Sequence, residues 1–96
     1  MRVKLWDEAK NKQNQKDHGI SFEVAMLVFE DERYLSAEDY TDENGEMRYQ
    51  TLGRIEGMLV LVAHVYREID GIETPWLISA RKAVKYEENI YYKRRR

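Results

Sequence analysis

The chain contains no cysteine. That excludes a disulfide framework and a thiolate metal site. Its only histidines, His18 and His64, are far apart and lack metal-ligand spacing, which argues against a zinc centre. No glycine-rich phosphate loop is present, and no serine stands in the glycine-flanked elbow of a hydrolase. The longest apolar run, Met58 to Ala63, is of strand length and far short of the ~18 residues a membrane helix needs. No apolar stretch near the start reads as the core of a signal peptide. These absences point to a cytoplasmic protein with no resident metal or cofactor and no membrane partner.

What is present suits a single domain over residues 1–96. A chain of this size buries only about 60–65% of its unfolded surface, so it holds one modest core. Charged residues make up 35% of the chain, above the usual ~25%, so much of it faces water or a charged partner. Net charge is −2, and the whole-molecule field does not single out nucleic acid. Acid clusters between Glu30 and Glu46, whereas base clusters at Lys10, Lys12 and Lys16 and in the tail Lys93-Arg94-Arg95-Arg96. This asymmetry predicts separate acidic and basic faces.

Val3, Leu5 and Trp6 predict a short first strand. Asp7 is a good N-cap for a helix running to about His18, which Gly19 stops in the left-handed conformation. The interior of that helix is almost wholly polar. Ser21 caps a second helix ending near Asp31, with Phe22, Ala25, Met26 and Phe29 as its apolar stripe. Tyr34 to Ala37 reads as a weak strand and Asp39 to Gly45 as an acidic loop. Glu46 to Gly53 alternates loosely, and Gly53 to Gly57 reads as a turn. Met58 to Tyr66 is the strongest strand and so central. Asp70-Gly71 is a hairpin signal. Pro75 then opens a strand over Trp76 to Ala80, and Val84 to about Tyr92 forms a last helix. Segregated helices and an antiparallel meander make an α+β fold.

The remaining chemistry lies in Arg, Lys, His, Glu and Tyr side chains. That set suits metal-free phosphoryl transfer within RNA, where the 2′-hydroxyl attacks its own phosphate. The protein then supplies a base, an acid and positive charge on the phosphorane oxygens. Arg81, at a strand end, reads either as a phosphate clamp or as half of a surface ion pair. Arg67 has the same two readings. His64 is a near-neutral base or a hydrogen-bonded core residue. His64 and Arg67 differ by an odd number, so only one of them shares a face with Arg81. Glu87 and Tyr91 share a helix face, for proton transfer or for packing. Lys10 meets an RNA backbone or simply water. Trp6 and Trp76 stack on bases or belong to the core.

Taken in order, these positions resemble the BrnT family of toxins, a branch of the RelE-like ribonucleases. Trp6 to Lys10 with Asn14 is similar to its opening helix, and His18 to Glu23 with Ala25, Val28, Phe29 and Asp31 to its second. Glu46, Arg48, Leu52 and Gly53 match its strand and turn. Leu59 to His64 with Arg67 looks like its central strand. Ile78 to Arg81 with Ala83, Glu87 and Tyr91 looks like its closing motif. The resemblance implies a RelE-like fold, an endoribonuclease that inhibits translation, and a cognate BrnA-like antitoxin. Contact with DNA comes only through that antitoxin. It makes Arg67 and Arg81 the foremost catalytic residues, followed by His64, Glu87 and Tyr91, with Lys10, Arg48 and Lys82 as RNA-binding cations. Asp17 and Trp76 depart from the family, which is often basic at both positions. The competing readings are a non-catalytic RNA- or ribosome-binding module and a protein-interaction domain.

Overall fold

The computed structural model describes residues 5–94. Helix α1 (Glu8–His18) has the caps its sequence prescribes. Asp7 accepts a hydrogen bond from the Ala9 N–H at 2.9 Å, and Gly19 leaves the helix at φ 74°, where a Cβ would be strained. Ser21 likewise caps α2 (Phe22–Ala25), accepting from the Val24 N–H at 3.1 Å. The expected single helix to Asp31 is not what forms, because after Ala25 the chain tightens into a 3₁₀ turn over Met26–Glu30. Side chains three apart eclipse in a 3₁₀ turn. Phe22, Ala25 and Val28 are therefore the fully buried positions, and Met26 and Phe29 only flank the core.

Four strands follow as a sequential antiparallel meander: β1 (Leu35–Thr41), β2 (Met47–Ile55), β3 (Met58–Ile69) and β4 (Ile72–Lys82). Helix α3 (Lys85–Lys93) closes the described chain. The fold is thus α+β, with β3 central as its apolar run requires. Several boundaries differ from expectation. Asp39, Tyr40 and Thr41 belong to β1, and the acidic loop shrinks to the turn around Asp42, whose carboxylate accepts from the Asn44 and Glu46 N–H groups. Of the expected first strand only Leu5 and Trp6 are described, and neither is a strand residue. The Leu5 carbonyl accepts from the Leu77 N–H at 3.0 Å. Val3, Arg95 and Arg96 lie outside the described residues.

Gly53 is not a turn residue. It lies inside β2, buried and paired with Val60, and the turn is only Glu56-Gly57. A Cβ on Gly53 would stand 2.6 Å from the Val28 Cβ and 2.7 Å from the Val28 carbonyl oxygen. This glycine lets the 3₁₀ turn lie directly on the sheet. The Asp70-Gly71 hairpin forms as expected, with both residues at positive φ. Pro75 falls within β4 rather than at its start, and is tolerated because β4 is an edge strand.

The sheet has a core on each face. On one, Ile20, Phe22, Ala25 and Val28 pack on Val60, Val62, Leu77 and Ala80. On the other, Tyr91 of α3 packs on Leu52, Leu59 and Leu61. The polar α1 is attached through two buried asparagines one turn apart. Asn14 donates to the carbonyls of Ile20 and Ala80, each at 2.9 Å, and accepts from the Ala80 N–H at 3.0 Å. Its amide so pairs with the edge of β4 as another strand would. Asn11 accepts from the Phe22 N–H at 2.7 Å. α1 is therefore held by amide geometry rather than by apolar area.

Candidate functional site

Register decides which side chains share a surface. In β3, Leu59 and Leu61 lie under α3 while Val60 and Val62 lie under α2. Alternation then places Val65 and Arg67 on the α3 face and His64 on the other. Across the ladder, Arg81 pairs with Leu61, Trp76 with Val65 and Thr74 with Arg67. An extra residue in β4 between the Ala63 and His64 pairs shifts its parity. That bulge brings even-numbered Trp76 onto the same face as odd-numbered Arg81. Arg48 precedes Tyr49, the partner of His64, and so joins them. The α3 face of the sheet therefore carries Arg48, Arg67, Trp76 and Arg81.

Arg81 is held on one edge by Glu87, with Nη1 and Nη2 donating to the two carboxylate oxygens at 2.9 and 2.8 Å. Nη1 also donates to the Lys82 carbonyl at 3.1 Å. The Nε–H and the second Nη2 proton have no acceptor among the described residues, leaving a two-donor edge open. Glu87 accepts from the Val84 N–H at 2.9 Å as well, so one carboxylate caps α3 and orients Arg81. The hydrogen bond from Arg81 first, and the Val84 N–H next, hold the Glu87 carboxyl below its usual range against burial. Arg81 correspondingly keeps its proton more firmly, through the same bond.

Arg67 donates from Nε and Nη2 to Glu46 at 3.2 and 3.1 Å, and its guanidinium lies 4.8 Å from the centre of the Trp76 ring. Arg48 donates to Asp42 at 3.1 Å. Lys10, exposed on α1, joins Arg48, Arg67 and Trp76 around a cleft of about 290 Å³ that also includes Asp42 and Glu46. On β3, Arg67 stands six residues beyond Leu61, the partner of Arg81. At a rise of ~3.3 Å per residue the two backbone positions are about 20 Å apart. Glu46 and Glu87 orient the two guanidinium groups separately, one at each end of this surface.

His64 does not join this group. It is fully buried on the α2 face, between Phe29, Tyr49 and Tyr66, with ring centroids 5.2, 5.7 and 5.2 Å away. Its Nδ1 lies 3.3 Å from the Val65 carbonyl and its Nε2 2.7 Å from the Thr51 hydroxyl. The carbonyl can only accept, so the proton belongs on Nδ1 and Thr51 donates to Nε2. The histidine is a buried, hydrogen-bonded core residue on the opposite side of the sheet from Arg81. Lys82 is placed apart from Arg81. It pairs with Val60, whose side chain faces α2, so alternation turns Lys82 away from Arg81.

Burial lowers the His64 pKa below 6.5, with the Val65 carbonyl opposing weakly. The folded state resists a proton that the unfolded chain accepts. Stability from this group is complete above about pH 6.5 and falls as the pH drops through and below that value. Urea unfolding of the native chain should lose stability from about pH 7 to about pH 5, and His64→Gln should flatten that slope. An unchanged slope in the variant would place the acid sensitivity in other groups.

Tyr91 is buried under the sheet, and its hydroxyl donates to Asp31. Burial first, then the Asp31 bond, pushes its pKa up to about 12. Asp31 also accepts from the backbone N–H groups of Arg33 at 3.0 Å and Arg54 at 2.8 Å. Burial alone would raise this carboxyl, but the Tyr91, Arg33 and Arg54 bonds and the Arg94 charge together hold it below its usual value. Asp31 therefore ties the end of the 3₁₀ turn to β2 and α3, a role that sequence reasoning missed. Its signals were its place at a helix end and its part in the second-helix resemblance, and neither names its partners. Glu46, read as a strand residue, is likewise the partner that fixes Arg67.

No helix among the described residues is long and apolar enough to cross a membrane. Residues 6–87 match the family model described as the ribonuclease toxin, BrnT, of type II toxin–antitoxin systems. That span is most of the chain, and the chain belongs to this family. No curated protein matches it.

Proposed function

We propose that this BrnT-family ribonuclease toxin cuts RNA on the α3 face of its sheet, by attack of a 2′-hydroxyl on the adjacent phosphate. The 2′-oxygen bonds to phosphorus as the bond to the 5′-oxygen breaks. The products are a 2′,3′-cyclic phosphate and a 5′-hydroxyl. The 2′-hydroxyl proton leaves to a base, and the departing 5′-oxygen takes one up. Because the nucleophile and leaving group both belong to RNA, this scheme asks the protein for charge and orientation and needs no metal.

The observation that carries this reading is the geometry of Arg81. Glu87 fixes one edge of the guanidinium, and the opposite edge, Nε with Nη2, keeps two donors without acceptors among the described residues. Two parallel donors match two phosphate oxygens. Arg67, Arg48 and Lys10 then guide the strand across the same face. Glu87 is the carboxylate nearest the clamp, and its lowered pKa makes it a weak base. Most of the acceleration therefore comes from charge stabilisation. Tyr91 acts by positioning α3, since its proton is committed to Asp31.

Cleavage of translated RNA by this route arrests protein synthesis, and a BrnA-like antitoxin in the cytoplasm neutralises it. Expression under tight control should stop growth and fragment RNA, with 5′-hydroxyl and 2′,3′-cyclic phosphate ends. A 2′-deoxy substitution at the scissile nucleotide should abolish cutting. Cutting of the deoxy substrate, or 5′-phosphate ends, would contradict 2′-hydroxyl attack.

A second reading, a non-catalytic RNA- or ribosome-binding module, is favoured by one observation. The burial of His64 on the α2 face removes that histidine as a base beside the arginines. That reading expects salt-sensitive affinity, with a log–log slope of about −0.7 per phosphate neutralised on a single strand, and no product.

A further inference from the structure

The two tryptophans occupy different environments. Trp6 meets the edge of Phe22 at 6.0 Å and donates its indole N–H to Glu8 at 3.0 Å. Those contacts fix it as part of the framework. Trp76 is half-buried at the cleft, and its indole N–H has no acceptor among the described residues. Around it stand Lys10 from α1, Arg48 from β2 and Arg67 from β3. Asp7, Asp42 and Glu46 line the same cleft, with Asp42 and Glu46 orienting Arg48 and Arg67; an aromatic ring beside cations from three elements is an arrangement that single-stranded nucleic acid uses, with bases on the ring and phosphates on the charges. The bulge in β4 matters here, since without it Trp76 would point into the α2 core.

From this we propose that Trp76 is a stacking platform for one nucleobase of a single-stranded RNA, a role that rests on the RNA-cleaving reading of this face. The Arg67 guanidinium, 4.8 Å from the ring centre, steadies the indole while Glu46 fixes its angle. On β3 the partner of Trp76, Val65, stands four residues from Leu61, the partner of Arg81. That separation is about 13 Å along the strand. The stacked base therefore belongs to a neighbouring nucleotide, not to the one whose phosphate Arg81 grips. Trp76 so acts on substrate choice, favouring unpaired RNA whose bases are free to leave their own stack.

The test uses the full chain with Arg81→Ala, so that RNA is held uncut, and Trp6→Phe, so that Trp76 is the sole tryptophan. A short single-stranded oligoribonucleotide should quench the fluorescence, and a duplex of the same sequence should not. Trp76→Leu should weaken single-strand binding roughly 5- to 150-fold, with Trp76→Phe retaining most of the affinity. The slope of affinity against salt should stay unchanged in both. As a measurement needing no substitution near the ring, the Arg81→Ala chain should bind an abasic oligonucleotide more weakly by a similar factor. Unchanged affinity in folded Trp76→Leu, or equal binding of abasic and intact strands, would overturn the platform. If the native chain still cuts RNA with dependence on Arg81, only the platform falls. If the native chain neither binds nor cuts RNA, the reading of the whole face falls with it.

Discussion

Arg81→Ala is expected to slow RNA cleavage by about 10²–10³-fold, the usual cost of losing one oriented donor to a transition-state oxyanion. The fold should hardly notice. The Arg81 and Glu87 side chains are 39% and 16% exposed, and ion pairs this close to solvent contribute about 0–1 kcal/mol. Glu87 would still cap α3 through the Val84 N–H. Arg81→Lys should recover only part of the rate, because an ammonium cannot present two parallel donors while also holding Glu87. Single-turnover cleavage beside urea unfolding separates the two effects. A large fall in stability would make Arg81 a structural residue instead.

Asn14→Ala is expected to destabilise the fold by about 3 kcal/mol or more, although Asn14 lies on the most polar helix of the chain. Truncation orphans the Ala80 N–H and the carbonyls of Ala80 and Ile20. Each buried group left unpaired costs about 1–3 kcal/mol, less where water enters beside α1. Asn14→Asp should be no better, since it turns both donors into a charged acceptor facing two carbonyls. The neighbouring Gln13, exposed and bonded only to Asp17, should tolerate alanine within about 0.5 kcal/mol. Urea denaturation of the three variants measures the contrast. Equal stability of Asn14→Ala and Gln13→Ala would show that the asparagine clamp is dispensable.

Asn14 also shows where sequence reading stops. Local chemistry was legible: the caps at Asp7, Ser21 and Gly19, the Asp70-Gly71 hairpin and the central place of β3 all follow from residues near one another in the chain. Features that depend on a distant partner were not. A buried asparagine looks like an exposed one until the edge of β4 arrives to meet it. Gly53 looks like punctuation until Val28 lies 2.6 Å from its absent Cβ.

The site divides in the same way. Arg67 and Arg81 were legible as strand-end cations, and alternation predicted that His64 and Arg67 part company. Which of them sides with Arg81 was set by register. Placing Trp76 on the same surface needed the β4 bulge, which leaves no mark in the sequence. Glu87 was legible as a helix-face carboxylate. Its double duty, capping α3 and holding Arg81, appeared only when the strand end and the helix start met.

The measurement that tests most directly whether the arginine-bearing face cuts RNA is a cleavage comparison across the two faces of the sheet. Arg48→Gln, Arg67→Gln and Arg81→Gln would be assayed beside Lys82→Gln, which removes a cation adjacent to Arg81 but on the other side, with unfolding curves for all four. Cleavage should fall for the three arginine variants, most steeply for Arg81, and stay within a few-fold of native for Lys82→Gln. A Lys82→Gln protein as crippled as Arg81→Gln, or three folded arginine variants that cut at the native rate, would contradict the assignment of that face.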